Sequence, residues 1–296
     1  MRSYLECIPC FMSQALRAAR IAQLDDEQTL KLLRIIGGKI KDIQLSDPPP
    51  KTGNMIYSLV AEISGKRDPY EWVKREHIDF ALRMLPFMEG YIDDARDPVD
   101  AAMRVAAAGN IIDLGARKTV ENVHKVLEDA LTLKHRRWDI DQLKSALADA
   151  RKILVLGDNA GETVFDFAMM KTLRRVYPGA GIFFSVRGGP TINDATYKDA
   201  VRSRIDEVAT IISTGSDAPG ILMDEVSPEF LEIFNSADVV ISKGQGNYET
   251  LNDAPRPIFF VMTVKCEVVA RHLNLPEGSS VLYFHPGGKS SERMTD

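Results

Sequence analysis

The chain has 296 residues, 45% hydrophobic and 27% charged, with a formal net charge of -5. That is the composition of a soluble globular protein, long enough for one or two domains. The acidic balance argues against a nucleic-acid surface or a polybasic membrane patch, although a local site can still be positive. No apolar run approaches the roughly 20 residues of a membrane helix. Glu6 interrupts the N-terminal apolar stretch where a signal peptide needs continuity. The expected location is the cytoplasm, and three cysteines in a chain of this length make no disulfide scaffold.

In chain order, the first half reads as helices. Apolar residues recur at helical spacing over 11–22 and 28–43. The stretch "SDPPPKTGN" (46–54) is expected to be a turn that ends the second helix, because consecutive prolines cannot continue it. Helical patterns resume over 55–63, 69–90, 98–114, 120–133 and 140–150. Asp68 before Pro69 and Asp97 before Pro98 read as N-caps followed by proline. No strand-like run precedes Lys152.

The second half changes rhythm. Short apolar runs rich in β-branched and aromatic residues mark strands over 152–156, 181–186, 209–213, 238–242, 257–263 and 280–284. Helical patterns lie between most of them, over 162–177, 194–202, 228–234, 247–251 and 265–272. Strands buried on both faces with crossover helices imply a doubly wound sheet. The expected fold is therefore α/β. A helical domain or cap over 1–150 precedes a Rossmann-like, three-layer and mostly parallel sheet over 151–296 that carries the site.

Ligands of open α/β sheets bind beyond the carboxyl ends of the strands. The first strand is followed by "GDNAGE" (157–162), with Asp158 and Asn159 where nucleotide-binding turns usually carry glycines. Arg187, Gly188, Gly189 and Asp194 follow the second strand. Lys243, Gly244, Asn247 and Glu249 follow the fourth, and Lys265 the fifth. Carboxylates, an amide, cations and glycines on one rim make a site for a metal ion and an anion together. Asp158, Asn159 and Asp194 supply the hard oxygens that a divalent cation prefers. Lys243, Gly244 and Arg187 suit a phosphate. Plainer readings stand beside these. Asn159 with Glu162 fits a capping box, Asp194 can cap the next helix, and Lys243 can be a surface lysine. Asn110 and Asp113, three residues apart in an apolar helix, either line the cleft or form an internal hydrogen-bond network. "CIPC" (7–10) lacks the preceding strand of a redox dithiol and the second ligand pair of a zinc site, so an incidental or structural role competes with metal and redox roles.

Taken together, "GDNAGE", "VRGGPTINDAT", "KGQGNYET", "AAAGNIIDLG" and "CIPC" resemble the damage-control phosphatase family, formerly domain of unknown function eighty-nine. The early CxxC is similar to its stand-alone prokaryotic branch. The resemblance implies a metal-dependent phosphatase acting on sugar phosphates or damaged phosphometabolites. Its metal ligands fall on Asp158, Asn159 and Asp194, and its phosphate lysine on Lys243. Mg²⁺, Mn²⁺, Co²⁺ and Ni²⁺ all suit the oxygen donors. The nucleophile is a metal-activated water first, or Asp158 second, giving an aspartyl-phosphate. Ala160 excludes the second aspartate of the haloacid-dehalogenase pattern. Arg187, Asn110, Asp113, Glu162, Gly244, Asn247, Glu249 and Lys265 are candidate substrate contacts. The expected partner is a small phosphorylated metabolite, not nucleic acid or membrane, and the oligomeric state is open. Two rival readings are an S-adenosylmethionine-dependent carboxyl methyltransferase and a non-catalytic phosphometabolite sensor.

Overall fold

Successive residues of a strand point to opposite faces of the sheet, and that period of two organises this molecule. The structure is a computed structural model that describes residues 1–111 and 120–288. Among these residues one sheet holds β1 (Arg137–Trp138), β2 (Lys152–Leu156), β3 (Gly181–Val186), β4 (Thr210–Ser213), β5 (Val239–Lys243), β6 (Ile258–Thr263) and β7 (Ser280–His285). Their order is β1-β7-β6-β5-β2-β3-β4. Every neighbouring pair is parallel except β6 with β7. Along β2, Ile153 and Val155 enter one core cluster and Leu154 and Leu156 the other.

The helices divide by what they cover. α1 (Cys7–Ile21), α2 (Asp26–Lys39) and α3 (Pro49–Ser64) build a small core of their own around Phe11, Leu32, Ile36 and Ile56. α4 (Glu71–Asp93), α5 (Pro98–Ile111), α6 (Val120–Leu131), α7 (Ile140–Ala148), α8 (Thr163–Val176) and α9 (Tyr197–Arg202) pack into the core on one face of the sheet. α10 (Pro228–Ser236), α11 (Gln245–Leu251) and α12 (Glu267–Leu273) cover the other.

Several boundaries differ from the sequence reading, each for a local reason. Pro49 and Pro50 open α3 rather than ending a turn, because the first helical turn has no use for their missing N–H. A strand does precede Lys152: β1 pairs with β7 through only two residues, too few to leave an alternating pattern. Asp68 does not cap α4. It accepts the Tyr70 N–H at 3.1 Å in the turn before it. α9 begins at Tyr197, with a capping box between Thr196 and Asp199, so Asp194 caps nothing. Asp97 does cap α5, accepting the Asp100 N–H at 3.0 Å.

The strand order positions the site. From β2 the chain steps outward through β3 and β4, and later returns to the other side of β2 through β5 and β6. The reversal lies between β2 and β5, where the connections diverge and leave a crevice at the carboxyl ends. A second fixed point joins α4 to the segment leaving β3. The wholly buried ammonium of Lys74 lies 2.7 Å from Asp68 and 2.8 Å from Asp199. Lys74→Ala strands both carboxylates, and we expect a loss of about 3–5 kcal/mol, read as a lower urea midpoint. Adding Asp199→Asn should recover part of it.

Candidate active site

Gly157 ends β2 where nothing larger fits: a Cβ there would fall 2.6 Å from the Phe184 ring and 2.7 Å from the Ser185 carbonyl. Asp158 and Asn159 follow. The loop after β3 returns alongside them. Ala160 N–H donates to Asn193 O and Ala195 N–H to Asp158 O, both at 2.8 Å. Asn159 and Asp194 are thereby paired as an isolated bridge. From across the crevice Gly244 closes in with φ +79, and a Cβ on it would sit 1.9 Å from Asp158 Oδ2. Three sheet connections thus bring Asp158, Asn159 and Asp194 together.

Their hydrogen bonds use one side of each group. Arg187 Nε donates to Asp194 Oδ2 at 2.7 Å. Asn159 Nδ2 donates to Asp158 Oδ2 at 3.1 Å and to Glu162 Oε1 at 2.7 Å. Among the described residues, Asp158 Oδ1, Asn159 Oδ1 and Asp194 Oδ1 receive no hydrogen bond. Neither capping reading survives, since Asn159 makes no side-chain cap bond and Asp194 is held by Arg187.

The expected phosphate cations lie beneath this surface. Lys243 is fully buried, neither a surface lysine nor part of the cavity wall. Its ammonium donates to Asp166 Oδ1 at 2.6 Å and to the Ala106 carbonyl at 3.0 Å, and lies 3.7 Å from Glu162. Period two explains this: Val239, Ile241 and Lys243 share one face of β5, under α5 and α8. Arg187 is 3% exposed. Besides Asp194 it reaches Gly220 O at 3.1 Å and Asn247 Oδ1 at 2.9 Å. Asn247 Nδ2 in turn ties Gly157 O and Lys243 O together. Asn110 donates to Glu162, so it joins an internal network. Glu249 and Lys265 do line the cavity, with Asp158, Asn159 and Asp194. Asp113 lies outside the described residues.

The buried charges do not balance. Asp158, Glu162, Asp166 and Asp194 share two ion-paired cations, Lys243 and Arg187, a deficit of two positive charges at this floor, with Lys265 and Lys74 acting on Glu162 and Asp194 without forming ion pairs to them. Burial first, relieved only partly by Lys243, pushes Glu162 up to about 7. Burial, against the pull of Arg187, pushes Asp194 up to about 6. Asp166 is raised by the same cause. Burial opposes the charge on Lys243, yet Asp166 and Glu162 outweigh it and hold its pKa above the ordinary value. Three free hard oxygens above such a deficit fit a divalent cation. No three His, Cys, Asp or Glu side chains cluster for a metal ion among the described residues, so the seat needs the amide oxygen of Asn159.

The cavity above the seat measures about 1370 Å³, more than the roughly 300–1,000 Å³ of ordinary ligand pockets. Its far walls come from α1, α3 and α4, which no sequence motif indicated. Cys7, Cys10 and Cys266 lie on its lip as free thiols. Burial raises the pKa of Cys7 and of Cys266.

The sequence matches the damage-control phosphatase ARMT1-like domain over residues 3–281. The chain belongs to this family. A damage-control phosphatase of Pyrococcus horikoshii is 31% identical, with 95% of this chain and 97% of the relative covered. One from Archaeoglobus fulgidus is 33% identical, with 93% and 96% covered. A Methanocaldococcus jannaschii protein, named only as uncharacterized, is 35% identical, with 94% and 93% covered. The crystal structure of a DUF89 family protein from Pyrococcus horikoshii superposes with a TM-score of 0.90 at 30% identity, covering 96% of this chain and 99% of that one. The mixed α/β fold read from the sequence is thus the fold of the family. No helix among the described residues is long and apolar enough to cross a membrane.

One strained residue joins the seat to the helical bundle. Ile192 has φ +40, a region that costs a β-branched residue about 1–3 kcal/mol. Two residues before Asp194, it packs against the core of α1–α3, which holds it there. We expect Ile192→Gly to be more stable than Ile192→Ala by about 1 kcal/mol, reversing the usual order of these residues. Both lose the side chain, but only glycine relieves the backbone; paired denaturation curves decide.

Glu249 gives a pH signature. Burial pushes its carboxyl up to about 7, against about 4.3 in the unfolded chain. The folded protein therefore holds a proton that the unfolded chain releases. Its stability contribution is complete below about pH 4.3 and is lost as pH rises through about 7. In chelator-treated protein Glu249→Gln should make that decline shallower by the share of one carboxyl, leaving the part due to Glu162 and Asp194, as unfolding measured from pH 4 to 8 will register.

Proposed function

We propose that this chain is a metal-dependent phosphatase that hydrolyses small phosphate monoesters, sugar phosphates or damaged phosphometabolites, in a metabolite-repair role. The observation that carries this reading is the set of three unshared oxygens, from Asp158, Asn159 and Asp194, standing over a buried deficit of two positive charges. The names of the Pyrococcus and Archaeoglobus relatives support the same activity.

A divalent cation held by these three residues supplies Lewis-acid activation of a phosphoryl oxygen. The protein's own residues do the rest. Arg187 fixes the Asp194 carboxylate, and Glu162 turns the Asn159 amide so that its carbonyl faces the seat. Lys243 is paired with Asp166 and lies against Glu162, offsetting part of the cost of burying their charge, which makes it a positioning residue and not a phosphate contact. Lys265 takes the phosphate role, because its ammonium lines the cavity and has no ion pair among the described residues. Water attacks phosphorus, the P–O bond to the alcohol breaks, and inorganic phosphate and the alcohol leave. Water is favoured over Asp158 because Oδ2 of that carboxylate is committed to Asn159 and pressed against Gly244, and this reading gives its Oδ1 to the cation. Phosphoryl transfer asks mainly for positioning and charge stabilisation, which this set provides.

The test is hydrolysis of para-nitrophenyl phosphate by chelator-stripped protein with Mg²⁺, Mn²⁺, Co²⁺ or Ni²⁺ restored singly. Asp158→Ala should lose turnover while keeping its unfolding curve. Lys265→Ala should raise KM about tenfold, the worth of one charge-assisted hydrogen bond. Lys243→Ala should instead cost about 3–5 kcal/mol of stability, because it strands two buried carboxylates. Phosphate binding without turnover under any metal would replace the enzyme with a sensor.

A further inference from the structure

The helical wall of the cavity holds two hydrogen-bond donors that nothing in the protein uses. Arg17 lies on the face of α1 that lines the cavity, one turn beyond Gln14. Arg17 is exposed, and among the described residues its guanidinium has no carboxylate within ion-pair distance. Tyr70, at the start of α4, lines the same cavity and is only 5% exposed. Its backbone N–H is bonded to Asp68, yet its hydroxyl donates to nothing among the described residues. Buried tyrosines normally find a partner for that group. Tyr70 packs into the core cluster that contains Ala15 and Ala18 of α1, the helix that carries Arg17, so the two donors belong to one wall. Tyr57, by contrast, is spent, donating to Gln14 Oε1 at 2.8 Å.

A tyrosine hydroxyl and an unpaired guanidinium on one concave wall form a cradle for anionic oxygen. Glu6, at the start of α1, is paired with Arg271 of α12, the helix that follows Lys265, whereas Arg17 lies eleven residues further along α1, about 16 Å at 1.5 Å per residue, so the phosphate that Lys265 meets is not the group they hold. We propose that Arg17 and Tyr70 form a second anion subsite, and that the preferred substrates are phosphate monoesters whose leaving group carries its own carboxylate or phosphate. This rests on the phosphatase reading and narrows its substrate class. It also accounts for a cavity larger than a simple sugar phosphate needs.

The experiment is a ladder of ω-carboxyalkyl phosphates and alkane bisphosphates, each compared with the uncharged alkyl phosphate of equal length. For wild type, the ratio of kcat/KM for the charged over the uncharged substrate should peak at one chain length, at about tenfold or more. Arg17→Gln should bring that ratio towards one, Arg17→Lys should retain part of it, and Tyr70→Phe should lower it several-fold, with thermal melts confirming folded protein. The peak in the carboxylate or the bisphosphate series identifies the second anion. Alkyl phosphate turnover with no charge preference at any length, or a preference that survives both Arg17→Gln and Tyr70→Phe, would overturn the subsite and leave the phosphatase reading standing. No hydrolysis of any ladder member would bring down both.

Discussion

Uncompensated negative charge inside the protein is the constraint on which the rest depends. Asp158, Glu162, Asp166 and Asp194 are buried together with only Lys243 and Arg187 in ion pairs to them. Taking ions out of water is costly, and it is tolerated only where partners and hydrogen bonds make up the loss. Here they make it up on one side only. Every donor near the seat, Arg187, Asn159 and Asn110, approaches from beneath or from the side. The oxygens turned to the cavity have no protein donor among the described residues, and the proposed cation would supply the missing positive charge. The raised pKa values of Glu162 and Asp194 express the same imbalance in protons, which a divalent cation would displace.

The fold is arranged to sustain that imbalance. The switch between β2 and β5 lets two connections meet end to end, and the two glycines there are demanded by contact. Gly157 yields to Phe184 and Ser185, and Gly244 yields to Asp158 itself. Asn247 then ties the ends of β2 and β5 together and accepts from Arg187. A shift in any one of these elements moves an oxygen of the seat. The loop after β3 is pinned three times, by Ala160 to Asn193, by Ala195 to Asp158 and by Ile192 in the helical core.

Much of this was legible in the sequence. The strands read almost residue by residue, because β-branched runs buried on both faces leave a dense apolar signal. β1 escaped because two residues carry no period, and the start of α3 escaped because proline was read as a stop where it was a first turn. That Asp158, Asn159 and Asp194 gather at one rim was legible because strand ends in this fold class converge there. Lys243 and Arg187 end at the same rim, but beneath its floor. For Lys243 the missing signal was present: alternation from Val239 and Ile241 points it into the core under α5 and α8. For Arg187 no such rule exists, since its burial depends on Gly220 and Asn247 arriving from distant loops.

The helical wall was illegible for a different reason. Arg17 and Tyr70 belong to helices whose apolar faces explain their own packing, and nothing local says that their other faces meet the carboxyl ends of a sheet formed more than eighty residues later. This separation also divides the labour of the site. The floor is a closed network in which each charge supports another, so a change at one member propagates to the cation seat. The wall residues donate to no member of that network. Arg17 or Tyr70 can therefore be exchanged without breaking any ion pair or hydrogen bond beneath Asp158, whereas Lys74 on α4 and Asn110 on α5 cannot, because each holds a buried carboxylate.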